Sequence, residues 1–252
     1  MSRKNNLSVA IITKNEEKNL ADCVKSVSFA DDIVVVDSGS TDKTVEIAEG
    51  FGCRVFVEEW KGYGPQKNSA VDKCSHDWVL LLDADERAPS ETKGAILKIL
   101  EKPEAVAYTL RRKNYLHGKW LKHSGYWPDR QTRLVKKDKG SFHGVIHERW
   151  KSDGIVQDLD AHIEHYAFSN YSDMLMTLND YSSIIARELY ASGIRTNPVS
   201  PLYHGIGMFL KIYVIGRGFL DGIDGLVTAL LKAGGSFFKY AKLLELQRAN
   251  KQ

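Results

Sequence analysis

Short apolar runs alternate with segments of helical spacing from Leu7 to Asp83. Leu7-Ser8-Val9-Ala10-Ile11-Ile12-Thr13 and Asp32-Ile33-Val34-Val35-Val36-Asp37 read as strands buried on both faces, because apolar positions dominate without strict alternation. Arg54-Val55-Phe56-Val57 gives a third strand and Trp78-Val79-Leu80-Leu81-Leu82-Asp83 a fourth. Between them, Leu20, Val24 and Val27 lie at helical spacing after an acidic first turn at Asn15-Glu16-Glu17. A second helix is expected from Asp42 to Phe51, capped by Ser40 or Thr41, and a third from Gln66 to Cys74. This β-α-β-α-β-α-β order predicts a mostly parallel α/β sheet.

Beyond Glu86 the rhythm loosens. Ser90 is the expected cap of a helix that turns Ile96, Ile99 and Leu100 inward, and Ala105 to Leu110 reads as another strand. Periodicity then fades into the basic, aromatic stretch from Arg111 to Trp120. A strand is expected after Asp129, another from Leu159 to His165, and a helix from Asp173 to Tyr190. Gly193 and Pro198 mark a break, which divides the chain into a main α/β domain of residues 1–195 and a C-terminal helical appendage of residues 196–252. From Pro201 onward the chain is strongly apolar, but Lys211, Arg217, Asp221, Asp224 and Lys232 interrupt it too often for a bilayer span of about 20 residues. Lys232, Lys239 and Lys242 fall on one helical face, a pattern suited to a helix lying in a membrane interface and drawn to anionic lipid. The same helices could instead pack on the main domain or pair with a second copy as a homo-oligomer.

Composition changes this picture only locally. Hydrophobic content of 43% and charged content of 27% are ordinary for a globular protein, and the formal net charge is +3. Residues 105–140, however, carry ten Lys and Arg against two acids, which suggests an anionic partner. Three cysteines without a C-x-x-C spacing indicate neither a disulfide framework nor a zinc site, so a cytoplasmic setting is expected. Met1 to Asn6 lead into a strand without an apolar segment, and no signal peptide is expected.

The candidate chemistry sits at strand ends. Asp83 and Asp85, one alanine apart after the fourth strand, can share a hard cation such as Mg²⁺ or Mn²⁺ and through it hold a diphosphate. In an open α/β sheet, ligands bind outside the carboxyl ends of the strands. Asp37 ends the second strand on the same sheet edge and can accept a hydrogen bond from a base or a ribose, or simply form the Asp-Ser-Gly turn. No G-x-G-x-x-G follows the first strand, which excludes a dinucleotide fold of that type, and a P-loop is absent as well.

Ala10-Ile11-Ile12-Thr13-Lys14-Asn15-Glu16, Val36-Asp37-Ser38-Gly39-Ser40-Thr41-Asp42-Lys43-Thr44, Gln66-Lys67-Asn68-Ser69-Ala70 and Leu82-Asp83-Ala84-Asp85 together resemble the inverting family 2 glycosyltransferases of GT-A fold. The resemblance implies a nucleotide diphosphate sugar as donor, UDP-linked. Thr13, Asn15, Glu16, Asp37, Lys67, Asn68, Asp83 and Ala84 would line its site, with Asp37 on the uracil or ribose, Asp83 near the ribose and diphosphate, and Asp85 on the metal. These motifs argue against nucleic acid as a partner of the basic stretch.

An inverting transfer needs a carboxylate to take the acceptor hydroxyl proton. The chain lacks a clean Glu-Asp pair after the donor motifs, and two substitutes are open: Asp129 in Trp127-Pro128-Asp129, and Glu148 in His147-Glu148. His147 is a candidate further metal ligand, since imidazole suits Mn²⁺. Arg130 and Arg133 are candidates for holding diphosphate or acceptor charge. The middle of the chain, with Gly218-Phe219-Leu220-Asp221-Gly222, also resembles a bacterial subgroup that adds sugars, glucose among them, to the lipopolysaccharide inner core. That likeness implies a lipid-linked or lipopolysaccharide acceptor and a peripheral place on the inner face of the cytoplasmic membrane. A non-catalytic nucleotide-sugar or membrane-binding scaffold, and a sugar-phosphate nucleotidyltransferase, remain the alternatives.

Overall fold

A computed structural model describes residues 5–144, 148–168 and 170–249. The alternating pattern folds as expected: β1 (Leu7–Thr13), α1 (Leu20–Ser26), β2 (Asp32–Asp37), α2 (Thr44–Gly50), β3 (Arg54–Val57), α3 (Tyr63–Lys73) and β4 (Trp78–Asp83) follow in order. β3, β2, β1 and β4 pair in parallel in that sequence, with Thr13 opposite Asp37 and Ile12 opposite Asp83. Their carboxyl ends therefore share one edge. After β5 (Glu86–Arg87) and α4 (Ser90–Glu101), β6 (Ala107–Leu116), β7 (Lys119–Trp120) and β8 (Asp129–Lys136) follow. The hairpin of β9 (Gly140–His143) and β10 (Arg149–Ser152) precedes β11 (Val156–Phe168). β8 enters antiparallel to β4, and the sheet continues through β6 and β11 to β5. The apolar runs fill both faces, with Leu7, Val9, Ile11, Leu80 and Leu82 in one core and Ala10, Ile12, Val34, Val36, Val79 and Leu81 in the other.

Three local expectations are corrected. The first helix begins at Leu20 rather than at Asn15, which has a positive φ of 55° and is braced to the next loop. Ser40 and Thr41 do not cap α2; Asp42 Oδ1 accepts the Thr44 N–H at 3.0 Å instead. Ser90 is the first helical residue of α4, and Pro89 occupies the cap position. The basic stretch that lost its periodicity is largely strand, because β6 runs to Leu116 and turns back at β7.

The chain forms two compact units. One comprises residues 1–112 and 129–165, the other 113–128 and 166–252. The division thus falls before α5 (Tyr171–Ala191), not at residue 195, because α5 packs on α7 (Ile223–Ala249) within the second unit. Asn170 caps α5 by accepting the Asp173 N–H at 2.9 Å. α6 (Ser200–Phe209) also packs on α7, where His204 stacks on Tyr240 at 3.8 Å between ring centroids. A π-helical turn (Leu210–Ile215) and a 3-10 turn (Gly218–Asp221) join α6 to α7. Leu116, Leu121 and Met174 form a small core with Tyr126, Phe168, Tyr171 and Leu231.

The expected lysine face of the last helix is engaged within this unit. Lys232 lies 3.9 Å from the centroid of Tyr126, and Lys239 covers Tyr240, where burial lowers its pKa. Lys242 donates to Asn179, Ser182 and Ser183 on α5. Among the described residues, no helix is long and apolar enough to cross a membrane.

Candidate functional site

The site begins where β4 stops. Asp83 ends the strand, Ala84 and Asp85 make the turn, and Glu86 opens β5; the Glu86 carboxylate closes the turn by accepting the Asp83 N–H at 3.1 Å. Glu86 is fully buried and needs cations, which Arg133 and Arg112 supply. Arg133 also donates to Asp83 Oδ2 at 2.8 Å, and the buried Lys67 ammonium lies 3.0 Å from Asp83 Oδ1. Lys67 reaches Glu148 Oε1 at 2.7 Å, and Arg112 reaches Asp129 at 2.8 Å. One unbroken chain of ion pairs therefore runs Asp129–Arg112–Glu86–Arg133–Asp83–Lys67–Glu148. It holds four carboxylates and three cations, and both candidate bases stand at its ends.

A strand irregularity aims Arg133 into this chain. Thr132 pairs with Thr109 and Leu134 with Tyr108, so Arg133 is an extra residue in β8 relative to β6. Such a bulge redirects a side chain without ending the strand. Arg130, three residues earlier, points to the opposite face and pairs with the exposed Asp158. Of the two arginines expected to hold diphosphate or acceptor charge, Arg133 meets the acidic turn, whereas Arg130 forms a sheet-surface ion pair away from it.

Asp85 completes the turn differently. Its Oδ2 lies 3.3 Å from His165 Nε2, while its buried Oδ1 has no hydrogen-bond partner. Register explains the histidine: β11 pairs antiparallel with β5, His165 opposite Glu86, and a one-residue slip would turn the imidazole away. Burial alone would raise the Asp85 pKa, but His165 more than offsets this and lowers it. Asp83 behaves similarly, burial being outweighed by Lys67 and Arg133, which hold it well below the usual carboxylate range. Glu16 is pushed upward, first by burial and further by Asp85, against a hydrogen bond from Asn19.

An orphaned carboxylate oxygen beside an imidazole suits Mg²⁺ or Mn²⁺. No cluster of three or more metal-binding side chains exists among the described residues. Two protein ligands nevertheless match a cation that keeps several waters and shares substrate phosphates. His147, the histidine expected from the sequence, lies outside the described residues.

The remaining expected residues divide. Thr13 is buried at the end of β1, and its carbonyl accepts the Ser38 N–H. Asn15 and Glu16 stitch that loop to the next: the Asn15 N–H donates to Ser40 Oγ, Asn15 Oδ1 accepts the Thr41 N–H, and the Glu16 N–H donates to Thr44 Oγ1. Asp37 is buried, with Oδ1 accepting the Gly39 and Ser40 N–H groups and Oδ2 the Ser40 hydroxyl, the arrangement of a turn former. Asn68 spends both its polar atoms on the backbone of Phe142, at 2.9 and 2.7 Å, and so anchors β9. Ala84 is buried in the turn. Glu86, Arg112 and His165 are the members that sequence reading missed.

Residues 8–151 match the family described as Glycosyl transferase family 2. An uncharacterized glycosyltransferase of Rickettsia bellii is 32% identical, over 95% of this chain and 86% of that protein. The lipopolysaccharide core biosynthesis glycosyltransferase LpsC of Rhizobium meliloti is 29% identical, over 95% of this chain and 92% of its own. Among solved structures, S. aureus TarS 1-349 in complex with UDP-GlcNAc is 18% identical, covers 97% of this chain and 92% of that chain, and gives a TM-score of 0.49.

Proposed function

The chain belongs to glycosyl transferase family 2, with the α/β architecture of the GT-A fold, and from that premise we propose a metal-dependent, inverting hexose transfer. The donor is a UDP-linked sugar, glucose by preference, and the acceptor a lipid-linked or lipopolysaccharide-core saccharide. The observation that carries this reading is the acidic turn, where the orphaned Asp85 oxygen stands next to Asp83 and its two cations. LpsC, similar along nearly its whole length, supports the acceptor class. The work site is the inner face of the cytoplasmic membrane, where the protein is peripheral.

Asp85 and His165 would hold Mg²⁺ or Mn²⁺, which when bound neutralises charge on the departing diphosphate. The protein's own groups do the rest. Lys67 and Arg133, already fixed by Asp83, offer positive charge to the diphosphate oxygens. A diphosphate drawing on Lys67 competes with Glu148 for the same ammonium and frees that carboxylate. Glu148 then takes the proton of the acceptor hydroxyl while its oxygen bonds to the anomeric carbon and the nucleoside diphosphate leaves. Asp129 suits this role less well, because Arg112 holds one of its oxygens and Gln131 donates to the other at 2.8 Å. Asp37 and the braced loops of Asn15 and Thr41 shape the nucleotide end through their backbone.

With Mn²⁺, the purified protein should slowly release UDP from UDP-glucose, and Asp85→Ala should abolish the release. Equal turnover by Asp85→Ala would remove the metal from this turn, and no turnover of any nucleotide sugar would favour a binding scaffold.

A further inference from the structure

We infer that the helical corner from Leu210 to Ile223 is the surface by which this protein docks on anionic lipid. The inference deepens the peripheral-membrane reading above and rests on it. Leu210, Val214, Ile215, Phe219, Leu220 and Ile223 all face outward there, with Ile215 78% and Ile223 66% exposed. An apolar surface of this kind, gathered in the two short helical turns and the start of α7, marks an interaction site rather than ordinary surface scatter.

Charge identifies the partner. Five charges interrupt the C-terminal apolar stretch in the sequence, two of them acidic, but the acids are turned inward. Asp221 is buried, accepting the Lys122 and His123 N–H groups and lying 2.9 Å from His123 Nδ1. Asp224 is buried as well and accepts the Tyr171 hydroxyl at 2.7 Å. What the corner exposes is apolar side chains together with Lys211 and Arg217. No acidic side chain is exposed between Leu210 and Ile223. Two-fold pairing of this face with a second copy would bring cation to cation, whereas a bilayer with anionic headgroups complements it.

The backbone is prepared for a poorly hydrated setting. Gly216 N–H donates to Lys211 O at 2.8 Å and Arg217 N–H to Val214 O at 3.1 Å; Gly222 and Leu226 N–H groups bond to Phe219 O and Gly222 O. The Gly216 carbonyl accepts the Ser124 N–H at 2.8 Å. Turns inserted among headgroups and acyl chains need their polar backbone groups satisfied internally. Tyr213 and Phe219, edge to face at 6.2 Å, brace the corner. This surface replaces the lysine face expected on α7, whose cations are spent within the fold.

Vesicle flotation of the full chain tests the proposal, using phosphatidylcholine alone and phosphatidylcholine mixed with phosphatidylglycerol. The wild type should float with the mixed vesicles and far less with the neutral ones. Ile215→Ser with Leu220→Ser should weaken binding about a hundredfold or more. Lys211→Gln with Arg217→Gln should weaken it roughly thirtyfold, at about 1 kcal/mol per cation, and remove its salt dependence. Both variants alter exposed side chains and should keep the wild-type melting temperature and UDP release from UDP-glucose. Undiminished flotation of both variants would overturn the corner while leaving membrane association standing. Failure of the wild type to float with either vesicle would overturn both. A dimer that dissociates in the Ser variant would reassign the face to a second copy.

Discussion

Asp83, Glu86, Asp129 and Glu148 in the first unit are neutralised by three side-chain cations, groups that a diphosphate can also recruit. Asp221 and Asp224 in the second unit are held chiefly by backbone N–H groups, a tyrosine hydroxyl and neighbouring imidazoles, with the Lys119 ammonium more distant at 3.9 Å from Asp224. The same side chain thus does two kinds of work. Paired with side-chain cations it remains exchangeable, and one oxygen, Asp85 Oδ1, is left without any partner. Paired with main chain it becomes a structural pin, and the surface around it is left apolar. A buried, unpaired polar atom is costly, so proteins retain one where a ligand satisfies it.

Removing one acid from each unit should separate the two kinds of work most strongly. Asp85→Asn should lower Mn²⁺-dependent UDP release on the order of a thousandfold, because the charge stabilisation lost amounts to about several kcal/mol. The metal-free melting temperature should change little, while the rise on adding Mn²⁺ should vanish. Asp221→Ala should do the reverse: about 2–3 kcal/mol less stability, read as a melting temperature lower by roughly 5–10 °C, with turnover per folded molecule retained. Equal effects of the two substitutions on both readouts would dissolve the distinction.

Gly64 offers a finer probe of the first unit. A Cβ there would stand 2.6 Å from the Gly144 carbonyl oxygen and 3.6 Å from Glu148 Cβ, so the start of α3 closes on the segment that carries Glu148. Gly64→Ala must displace that backbone, and a misplacement near 1 Å can cost up to about a hundredfold. Steady-state kinetics should show kcat falling more than the donor KM rises. An unchanged kcat would mean that the Glu148 segment need not be held so closely.

The smallest effect concerns a carboxylate of the first unit that has no part in the site. Glu58 is held by Lys73 first, then Ser69 and Lys61, and its pKa falls to about 2. A carboxylate depressed in the folded state contributes stability that is complete above its unfolded pKa and lost as pH falls through the folded value. Urea midpoints should therefore decline between pH 4.5 and about 2, and Glu58→Gln should flatten that part of the profile. The clamp ties β3 to α3, so its loss should leave UDP release at neutral pH unchanged.

Much of the fold was legible because β1, β2 and β4, buried almost throughout, leave an unmistakable apolar record. Their parallel pairing put Asp37 and Asp83 at one edge, as the strand ends implied. The rest depended on facts that spacing does not encode. His165 reaches Asp85 through the register of a two-residue strand, and Arg133 reaches Asp83 through a bulge. Neither leaves a periodic trace. Glu86 stood in the sequence directly after the acidic turn, and the signal available was that a buried acid there requires cations. Arg112 was hidden in a basic stretch that looked like loop, because alternation in β6 is masked by arginines whose partners lie on other strands. Asn68 shows the opposite limit: its motif position suggested a nucleotide, and spacing gave no sign that its amide binds the backbone of Phe142.

Glu148, freed from Lys67, is the base that the proposed transfer depends on. Its most direct test is UDP release from UDP-glucose with Mn²⁺ by Glu148→Gln and Asp129→Asn, measured side by side with the wild type. Glu148→Gln should lose about a hundredfold to ten-thousandfold in kcat with donor binding intact, while Asp129→Asn loses no more than about tenfold. Wild-type turnover by Glu148→Gln, or the larger loss in Asp129→Asn, would contradict it.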